Sequence, residues 1–288
     1  MAVNNRSPLT AAGLLGPALA VTVIFLVIPL ILLTGLSLYK GTPLDNDFEG
    51  ITLGHYAAVL TDGFYMGTLW NTVKIAAGTT ALALVFAFPT AQFLARSRSR
   101  FKSLFWLAII LPLFVGNAVR ALGWMLAFSK GGVVDSLASQ VGVHSADHLM
   151  YSTAAVLVGG TAVNLPYVIL TLQSVIEQID PSIEEASRSL GAAPFRTWWL
   201  VTLPLMAPGL LAASTLSFIL AMNAYATPVL LGGPRFRMMA PAIADEIIVE
   251  NNWPVGAVLA VVLIVVTLAL TALLNGVVQR RVRRLAAA

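Results

Sequence analysis

IEEASRSLGAAPFRTWWLVTLPL, residues 183–205, is a polar and aromatic segment between two long apolar runs. It contains two adjacent glutamates, two arginines and two adjacent tryptophans, and it ends in Leu-Pro-Leu. Directly before it, Asp180 and Pro181 suit the N-cap and the first turn of a helix. Gly191 can close such a helix in the left-handed conformation, and Pro194 cannot continue it. The segment therefore predicts a short helix that begins near residue 180 and ends near residue 191.

This short helix needs a surface to pack against, because an isolated helix of fewer than about 12 residues is marginal in water. Ser182 with Glu185 fits a capping box, which strengthens the start signal. Phe195, Trp198 and Trp199 supply aromatic surface of the kind that is enriched at protein interfaces. The segment is therefore typical of a docking element.

The composition of the chain predicts a membrane protein. Of the 288 residues, 58% are hydrophobic and 10% are charged, and the mean hydropathy is +0.85. A spanning helix needs roughly 20 mainly apolar residues. The first such run is too long for the apolar core of a signal peptide, which has roughly 15 residues at most, so this run is expected to be a retained anchor in membrane lipid. The remaining loops are shorter than the about 50 residues of a separate soluble domain. The six predicted spans lie at about 12–38, 69–94, 104–128, 152–176, 206–230 and 254–278.

The distribution of basic residues predicts the orientation of these spans. If the six spans alternate, eleven of the 17 lysines and arginines fall on one side, four on the other and two within spans. The richer side is cytoplasmic by the positive-inside rule, so both termini are expected in the cytoplasm. The loop RSRSRFK (96–102) and the tail QRRVRR (279–284) agree on this orientation. The pI near 9.6 therefore reflects topology, and no nucleic-acid partner is expected.

The spacing within the opening segment resembles the EAA loop of binding-protein-dependent ABC importer permeases. In that loop Glu-Ala-Ala is followed by three residues, a glycine, nine residues, an isoleucine, one residue and Leu-Pro. This chain keeps the spacing throughout, with Ser187 at the third position and Val201 in place of the isoleucine. In the family, the loop docks on an ATPase and transmits the closure of that ATPase to the pore. The residues to which the resemblance assigns this coupling are Glu184, Glu185, Ala186, Ser187, Gly191, Pro194, Leu203 and Pro204.

The resemblance covers about residues 69–278. NTVKIAAGTTALALVFAFPTAQFLARS (71–97) is similar to the second span of these permeases, and two further stretches, LPLFVGNAVRALGWML (111–126) and AYATPVLLGGP (224–234), are similar to the branch typified by spermidine/putrescine permeases. The resemblance implies an all-α, polytopic protein with six transmembrane helices and the type I, MetI-like permease fold. The domains expected from it are an N-terminal segment with the first span (1–68), a permease core with the coupling loop at about 180–205 (69–278) and a basic cytoplasmic tail (279–288).

The resemblance also implies an assembly. Two permease subunits, two cytoplasmic ATPases and an extracytoplasmic solute-binding protein would form an importer in a bacterial inner membrane. No cofactor is expected in this chain, and ATP and magnesium would belong to the partner ATPase. A polyamine-type solute is the favoured cargo, with an organic anion, an opine or an amino-acid-like solute as the alternative. A secondary transporter or a channel without an ATPase is the remoter interpretation.

Polar residues at membrane depth concentrate in the third to fifth spans. Leu113, Asn117, Arg120 and Trp124 share one stripe if the third span is a continuous helix, because their offsets are four, seven and eleven. Arg120 has two interpretations at this point. It could line a translocation pathway, or it could bond helix-end carbonyls and fix the packing of the spans.

The fifth span ends in a second polar group. Asn223 and Thr227 precede Pro228, and a helix break there would turn backbone carbonyls toward a cavity, as non-helical backbone at membrane depth requires. The predicted substrate-pathway residues are Asn117, Arg120, Trp124, Asn164, Asn223, Tyr225 and Thr227.

The sequence argues against an enzyme. An intramembrane enzyme needs a nucleophile with a base, or metal ligands, at membrane depth, but His55, His144 and His148 all fall in predicted outer loops and the chain has no cysteine. His144 and His148 are four residues apart, which permits a metal site, but no third ligand accompanies them. No G-x-x-x-x-G-K-[ST] sequence occurs, so ATP hydrolysis is expected in a separate chain.

The distribution of acids argues against a secondary transporter. Proton- and sodium-coupled transporters place acidic residues inside the membrane. Between about residues 64 and 176 this chain has none apart from Asp135 and Asp147, which fall in a predicted outer loop.

The predicted orientation can be tested with single cysteines in this cysteine-free chain. Ser136→Cys should react with an impermeant thiol reagent on intact cells and Ser99→Cys should not, because the charge distribution puts them on opposite sides. The reverse labelling pattern would overturn every assignment of sides.

Overall fold

The computed structural model of the chain describes residues 16–17, 19–41, 50–97, 99–140 and 149–286. These residues are almost entirely helical, so the all-α prediction is confirmed. In chain order the α-helices are α1 (Ile28–Ser37), α2 (Gly54–Thr61), α3 (Gly63–Arg96), α4 (Lys102–Ile110), α5 (Asn117–Phe128), α6 (Val133–Gln140), α7 (Thr153–Gln178), α8 (Pro181–Ser189), α9 (Pro194–Thr197), α10 (Leu203–Leu205), α11 (Ala207–Met222), α12 (Met239–Ala244) and α13 (Trp253–Ala286).

The described residues contain six candidate membrane spans if each bent pair of helices counts as one span. Four are unbroken, namely Leu19–Ser37, Gly63–Arg96, Thr153–Gln178 and Trp253–Gly276. Two are bent pairs, Lys102–Phe114 with Asn117–Leu137 at 108° and Pro194–Leu205 with Ala207–Met222 at 69°. The predicted number of spans is therefore confirmed on this count. At 1.5 Å per residue, α3 is about 50 Å long, which exceeds the roughly 30 Å hydrocarbon core.

The prediction of one continuous third helix is wrong. A 3₁₀ turn over Leu111–Phe114 ends the first half, Val115 is extended, and Gly116 is the N-cap of α5. Pro112 explains the break, because it has no N–H for an α-helical hydrogen bond. Leu113 consequently lies in the turn and not on the predicted stripe.

The fifth predicted span also ends earlier than expected. Helix α11 stops at Met222 with Asn223 as its C-cap, and a π turn over Pro228–Gly232 follows. Pro228 cannot donate a backbone hydrogen bond to the preceding turn. Gly233 then has a φ of +72°, a conformation that favours glycine.

The chain divides into two compact units, which are Met1–Gly63 with Ile243–Val262 and Phe64–Ala242 with Leu263–Ala288. In the described part of the first unit, the Ser37 hydroxyl lies 2.7 Å from the Tyr56 hydroxyl, and an isolated antiparallel bridge joins Tyr39 to Ile51. The apolar side chains of α1 are mostly exposed, as expected for a helix that faces lipid.

The larger unit has a core in which small residues permit close packing. Ala83, Ala87 and Ala91 follow one another at four-residue spacing on α3 and are fully buried. They belong to the same cluster as Leu172 and Ile176 of α7. Small residues at helix interfaces let backbones approach closely, which is how membrane helices gain packing energy.

The contact between α7 and α11 depends on a glycine. A Cβ atom on Gly209 would lie 2.7–2.9 Å from three side-chain carbons of Val175. Val175 is β-branched, so it has few rotamers with which to move away. The approach of the two helices therefore requires glycine at this position.

We expect Gly209→Ala to destabilise the isolated subunit by about 1–3 kcal/mol, as overpacking does. Gly123→Ala is the matched control, because it also lies within a helix and its Cβ would meet no atom within 4 Å. Thermal unfolding in detergent measures both variants. An equal melting temperature for Gly209→Ala and the wild type would contradict this packing.

Candidate functional site

The predicted coupling helix is α8, and its start and end are confirmed. Asp180 is the N-cap, and its Oδ1 accepts a hydrogen bond from the backbone N–H of Ser182 at 2.9 Å. This hydrogen bond lowers the pKa of the Asp180 carboxyl below its usual value. The N-cap is thus Asp180 and not Ser182, so the predicted capping box is not what starts the helix. Gly191 follows the helix with a φ of +85°.

The segment after α8 turns its aromatic residues in two directions. Trp198 is half-buried and meets Phe88 of α3 edge to face, with 5.0 Å between ring centroids. Phe195 and Trp199 are exposed and stack on each other at 6.4 Å. One tryptophan thus attaches the segment to its own subunit, and the other remains on the surface.

The predicted coupling residues divide in the same way. Glu184 is only 12% exposed and faces Arg96, and the half-buried Ser187 lies 3.1 Å from the Thr197 hydroxyl. Leu203 is half-buried. The exposed members of the set are Glu185, Ala186, Gly191, Pro194 and Pro204.

A cavity of about 440 Å³ lies among α3, α5, α7, α11 and the residues that follow α11. Its wall contains five of the seven predicted pathway residues, which come from three separate parts of the chain. They are Asn117, Asn164, Asn223, Tyr225 and Thr227. The structure therefore brings most of the predicted pathway residues together.

The cavity wall is mostly apolar and carries a few polar, uncharged side chains. Among the described residues, those that line it include no acidic or basic side chain. The buried Asn164 on α7 donates to the carbonyl of Ser217 at 3.0 Å, which ties α7 to α11. Asn223 donates to the carbonyl of Ile219 at 2.9 Å and so caps α11 at the cavity. The Asn164 amide therefore holds α7 to α11, and the Asn223 amide ends α11.

Arg120 and Trp124 are not among the residues that line this cavity. Arg120 donates to the backbone carbonyl of Val163 at 3.1 Å and also to the side chain of Asn117. Because Pro166 has no N–H, the carbonyl of Ala162 lacks its helical donor, and Arg120 binds the carbonyl of the next residue. These contacts favour the interpretation of Arg120 as a residue that fixes span packing. Trp124 packs beside Phe128, with 5.3 Å between ring centroids.

Sequence reasoning missed the contribution of α3 to the cavity. Ile75 and Thr79 of this helix line the wall, as does Tyr167 of α7. Thr79 lies two helical turns after Thr72, so threonines at seven-residue spacing indicated a polar face in an apolar helix. Tyr167 lies three residues after Asn164, a spacing that puts both side chains on one face.

Among the described residues, no group of three or more His, Asp or Glu side chains is placed to hold a metal ion. His144 and His148 lie outside the described residues. The role of these two histidines therefore stays untested.

Helices that break around a cavity with polar groups in its wall, with a short exposed helix in the connection between two spans, are typical of a transport permease. Residues 80–284 match the family of binding-protein-dependent transport system inner membrane components, and the chain belongs to this family. It is therefore the permease subunit of an ABC importer, a multi-pass inner-membrane protein and not an enzyme. Proteins of this type work with a binding protein and an ATPase.

Two relatives and one solved structure illustrate the range of the family. The chain is 28% identical over 212 residues to the spermidine/putrescine transport system permease protein PotB of Haemophilus influenzae, covering 73% of this chain and 74% of that protein. It is 31% identical over 216 residues to the molybdenum transport system permease protein ModB of Mycobacterium tuberculosis, covering 75% and 80%. A subunit of a bacterial alginate ABC transporter has the same fold, with a TM-score of 0.77 at 15% identity and 95% of each chain covered.

The role of the cavity can be tested by filling it. Ala224→Leu should lower transport about tenfold or more, because added carbon atoms occupy the space among the lining residues. Ala224→Ser is the control, since it changes polarity with little change in volume and should keep most of the transport. Uptake into proteoliposomes with equal amounts of inserted protein measures both. Full uptake by Ala224→Leu would show that solute does not pass through this cavity.

Proposed function

We propose that this chain forms one half of the pathway of an ATP-driven importer and that its exposed coupling surface binds a cytoplasmic ATPase. The coupling surface consists of Ile183, Glu185, Leu190, Phe195 and Trp199. The observation that carries the proposal is the exposure of its apolar members, since Leu190 is 89% and Phe195 74% exposed. Exposed apolar residues beside charged ones mark protein interaction sites.

The sequence and the family support the proposed assembly. A second permease subunit would complete the pathway, two ATPases would bind the coupling surfaces of the two permeases, and a solute-binding protein would deliver cargo on the outer side. ATP and magnesium would belong to the ATPases. The excess of basic residues in the loops before α4 and after α7 and in the tail supports cytoplasmic termini.

The proposed cargo is a polyamine-type solute. The PotB relative supports this choice because it is named for spermidine and putrescine. The cavity offers amide groups and the ring of Tyr225, which suit hydrogen bonds and cation–π contact with an ammonium group. A dication at membrane depth also needs carboxylates, and the lining supplies none among the described residues. We assign the carboxylates to the partner permease.

An anion is the second candidate cargo. The ModB relative, which is named for molybdenum transport, favours it at 31% identity. Arg120 adds a positive charge next to the cavity, through its contact with the lining residue Asn117. Charge-assisted hydrogen bonds from a guanidinium suit an anion.

Uptake by the reconstituted importer distinguishes the two cargo classes. Labelled putrescine or spermidine should enter in an ATP-dependent manner, and excess molybdate or an organic carboxylate should not compete. Tyr225→Leu should lower polyamine uptake about fivefold, which corresponds to the roughly 1 kcal/mol of a cation–π contact. Uptake of an anion without uptake of polyamines would reject the polyamine assignment while leaving the importer assignment intact.

The ATPase contact can be tested with two glycines of similar conformation. Gly191 and Gly131 have φ values of +85° and +78°, and a Cβ on either would meet no atom within 4 Å. Asparagine tolerates this conformation, so the same substitution is possible at both positions. Gly191→Asn should lower solute-stimulated ATP hydrolysis about tenfold, because its side chain enters the proposed interface. Gly131→Asn, on the predicted outer side, should not. Equal activity of both variants would contradict the contact.

A further inference from the structure

Two adjacent glutamates of the coupling helix have different surroundings. Glu185 is exposed, whereas the side chain of Glu184 is 12% exposed. Neighbouring helix positions point about 100° apart, so only one of these carboxylates can face the coupling surface. Glu184 faces the rest of its own subunit.

Three groups surround the Glu184 carboxylate. Arg96 donates from Nη2 to Oε1 at 3.2 Å, and the Thr202 hydroxyl donates to the same oxygen at 3.5 Å. Nη2 of Arg188 lies 3.8 Å from Oε2, but the Arg188 side chain is 58% exposed. Arg96 is 22% exposed and Thr202 is buried, so these are the sheltered contacts. A sheltered ion pair is screened less by water and salt than an exposed one.

These contacts join the coupling helix to two membrane helices. Arg96 is the last residue of α3, and Thr202 ends the π turn that leads through α10 into α11. Ile75 of α3 and Ile219 of α11 line the cavity at the far parts of these helices. Glu184 therefore connects α8 with two of the helices that form the cavity wall.

We propose that Glu184 is a positioning residue that transmits displacement of α8 to α3 and α11. The proposal rests on the proposed binding of an ATPase to the coupling surface. When the ATPase moves α8, the Glu184 ion pair moves the end of α3 with it, and the Thr202 contact moves the start of the α11 span. Transmission at this point is separate from binding of the ATPase, which uses Glu185 and the exposed apolar residues.

The neighbouring contacts explain why the ion pair is needed. The hydroxyl pair Ser187–Thr197 holds α8 to the segment before α11, and Phe88–Trp198 holds that segment to α3. Neither contact joins α8 directly to α3. The contact between Arg96 and Glu184 does so, and it is charge-assisted, which makes it stronger than a neutral hydrogen bond.

The test measures how many ATP molecules the reconstituted importer hydrolyses for each solute transported. Glu184→Gln keeps the size of the side chain but removes its charge, so this ratio should rise about tenfold, as expected for loss of a sheltered charge pair. Glu185→Gln is the matched neighbour. It should lower ATPase binding and transport together, and the ratio should stay unchanged.

A charge swap distinguishes loss of the ion pair from a general loss of folding. Arg96→Glu alone should raise the ratio, and Arg96→Glu combined with Glu184→Arg should return it toward the wild-type value because the pair is restored with opposite polarity. The exposed Arg188 can turn away from the new arginine. Arg96→Gln provides the same readout if Glu184→Gln does not insert.

The outcomes separate this inference from the proposed function. An unchanged ratio in Glu184→Gln and Arg96→Gln, or a charge swap that inserts without any rescue, would overturn the role of Glu184 while ATPase binding persists. If instead the wild-type subunit neither binds an ATPase nor stimulates it, the proposed function itself fails. Recovery of the ratio in the swap supports transmission through this pair, since a purely structural role would not change the ratio.

Discussion

The requirement that backbone polar groups be paired inside a bilayer governs this structure. Water is absent from the hydrocarbon core, so a spanning segment must be helical unless it borders protein or a water-filled space. The chain departs from regular helix at the residues before Asn117 and after Met222. Both departures adjoin the same cavity, because Asn117, Asn223 and Tyr225 line it. The cavity therefore gives the non-helical residues at both helix breaks a space that they can border at membrane depth.

The same helices connect the cavity with α8 and the aromatic residues that follow it. Helix α3 carries Thr79 in the cavity wall and Arg96 at its end beside Glu184. Helix α11 carries Ile219 in the wall and starts at Ala207, directly after α10. A 34-residue helix such as α3 extends beyond the hydrocarbon core, so it can link a site at membrane depth to a surface in water. The fold thus provides a continuous path through packed side chains and helix backbone.

Local sequence signals made α8 predictable, whereas the features that depend on tertiary packing were not predicted. Asp180 and Gly191 start and end the helix through contacts with residues only a few positions away along the chain, so their roles could be predicted from the sequence. The break at Pro112 could not, because a proline within a membrane helix often only kinks it. The different surroundings of Glu184 and Glu185 were equally hidden, since they depend on where α3 ends relative to α8. The residues at the cavity were predicted where polar side chains near helix breaks interrupt the third to fifth predicted spans, and Thr79 of α3 and Tyr167 of α7 were missed.

We propose that nucleotide binding to the partner ATPase, transmitted through α8, reshapes the cavity. The most direct measurement is the rate at which a thiol reagent modifies Ala224→Cys, a lining position in a chain without other cysteines, in the complete reconstituted importer. The rate should differ about tenfold or more between the nucleotide-free and the ATP-vanadate-trapped states. If nucleotide shifts the subunit between an open and a closed cavity, the fraction of molecules in which the reagent can reach residue 224 changes by the same factor. Identical rates in an importer that still transports solute would contradict the account.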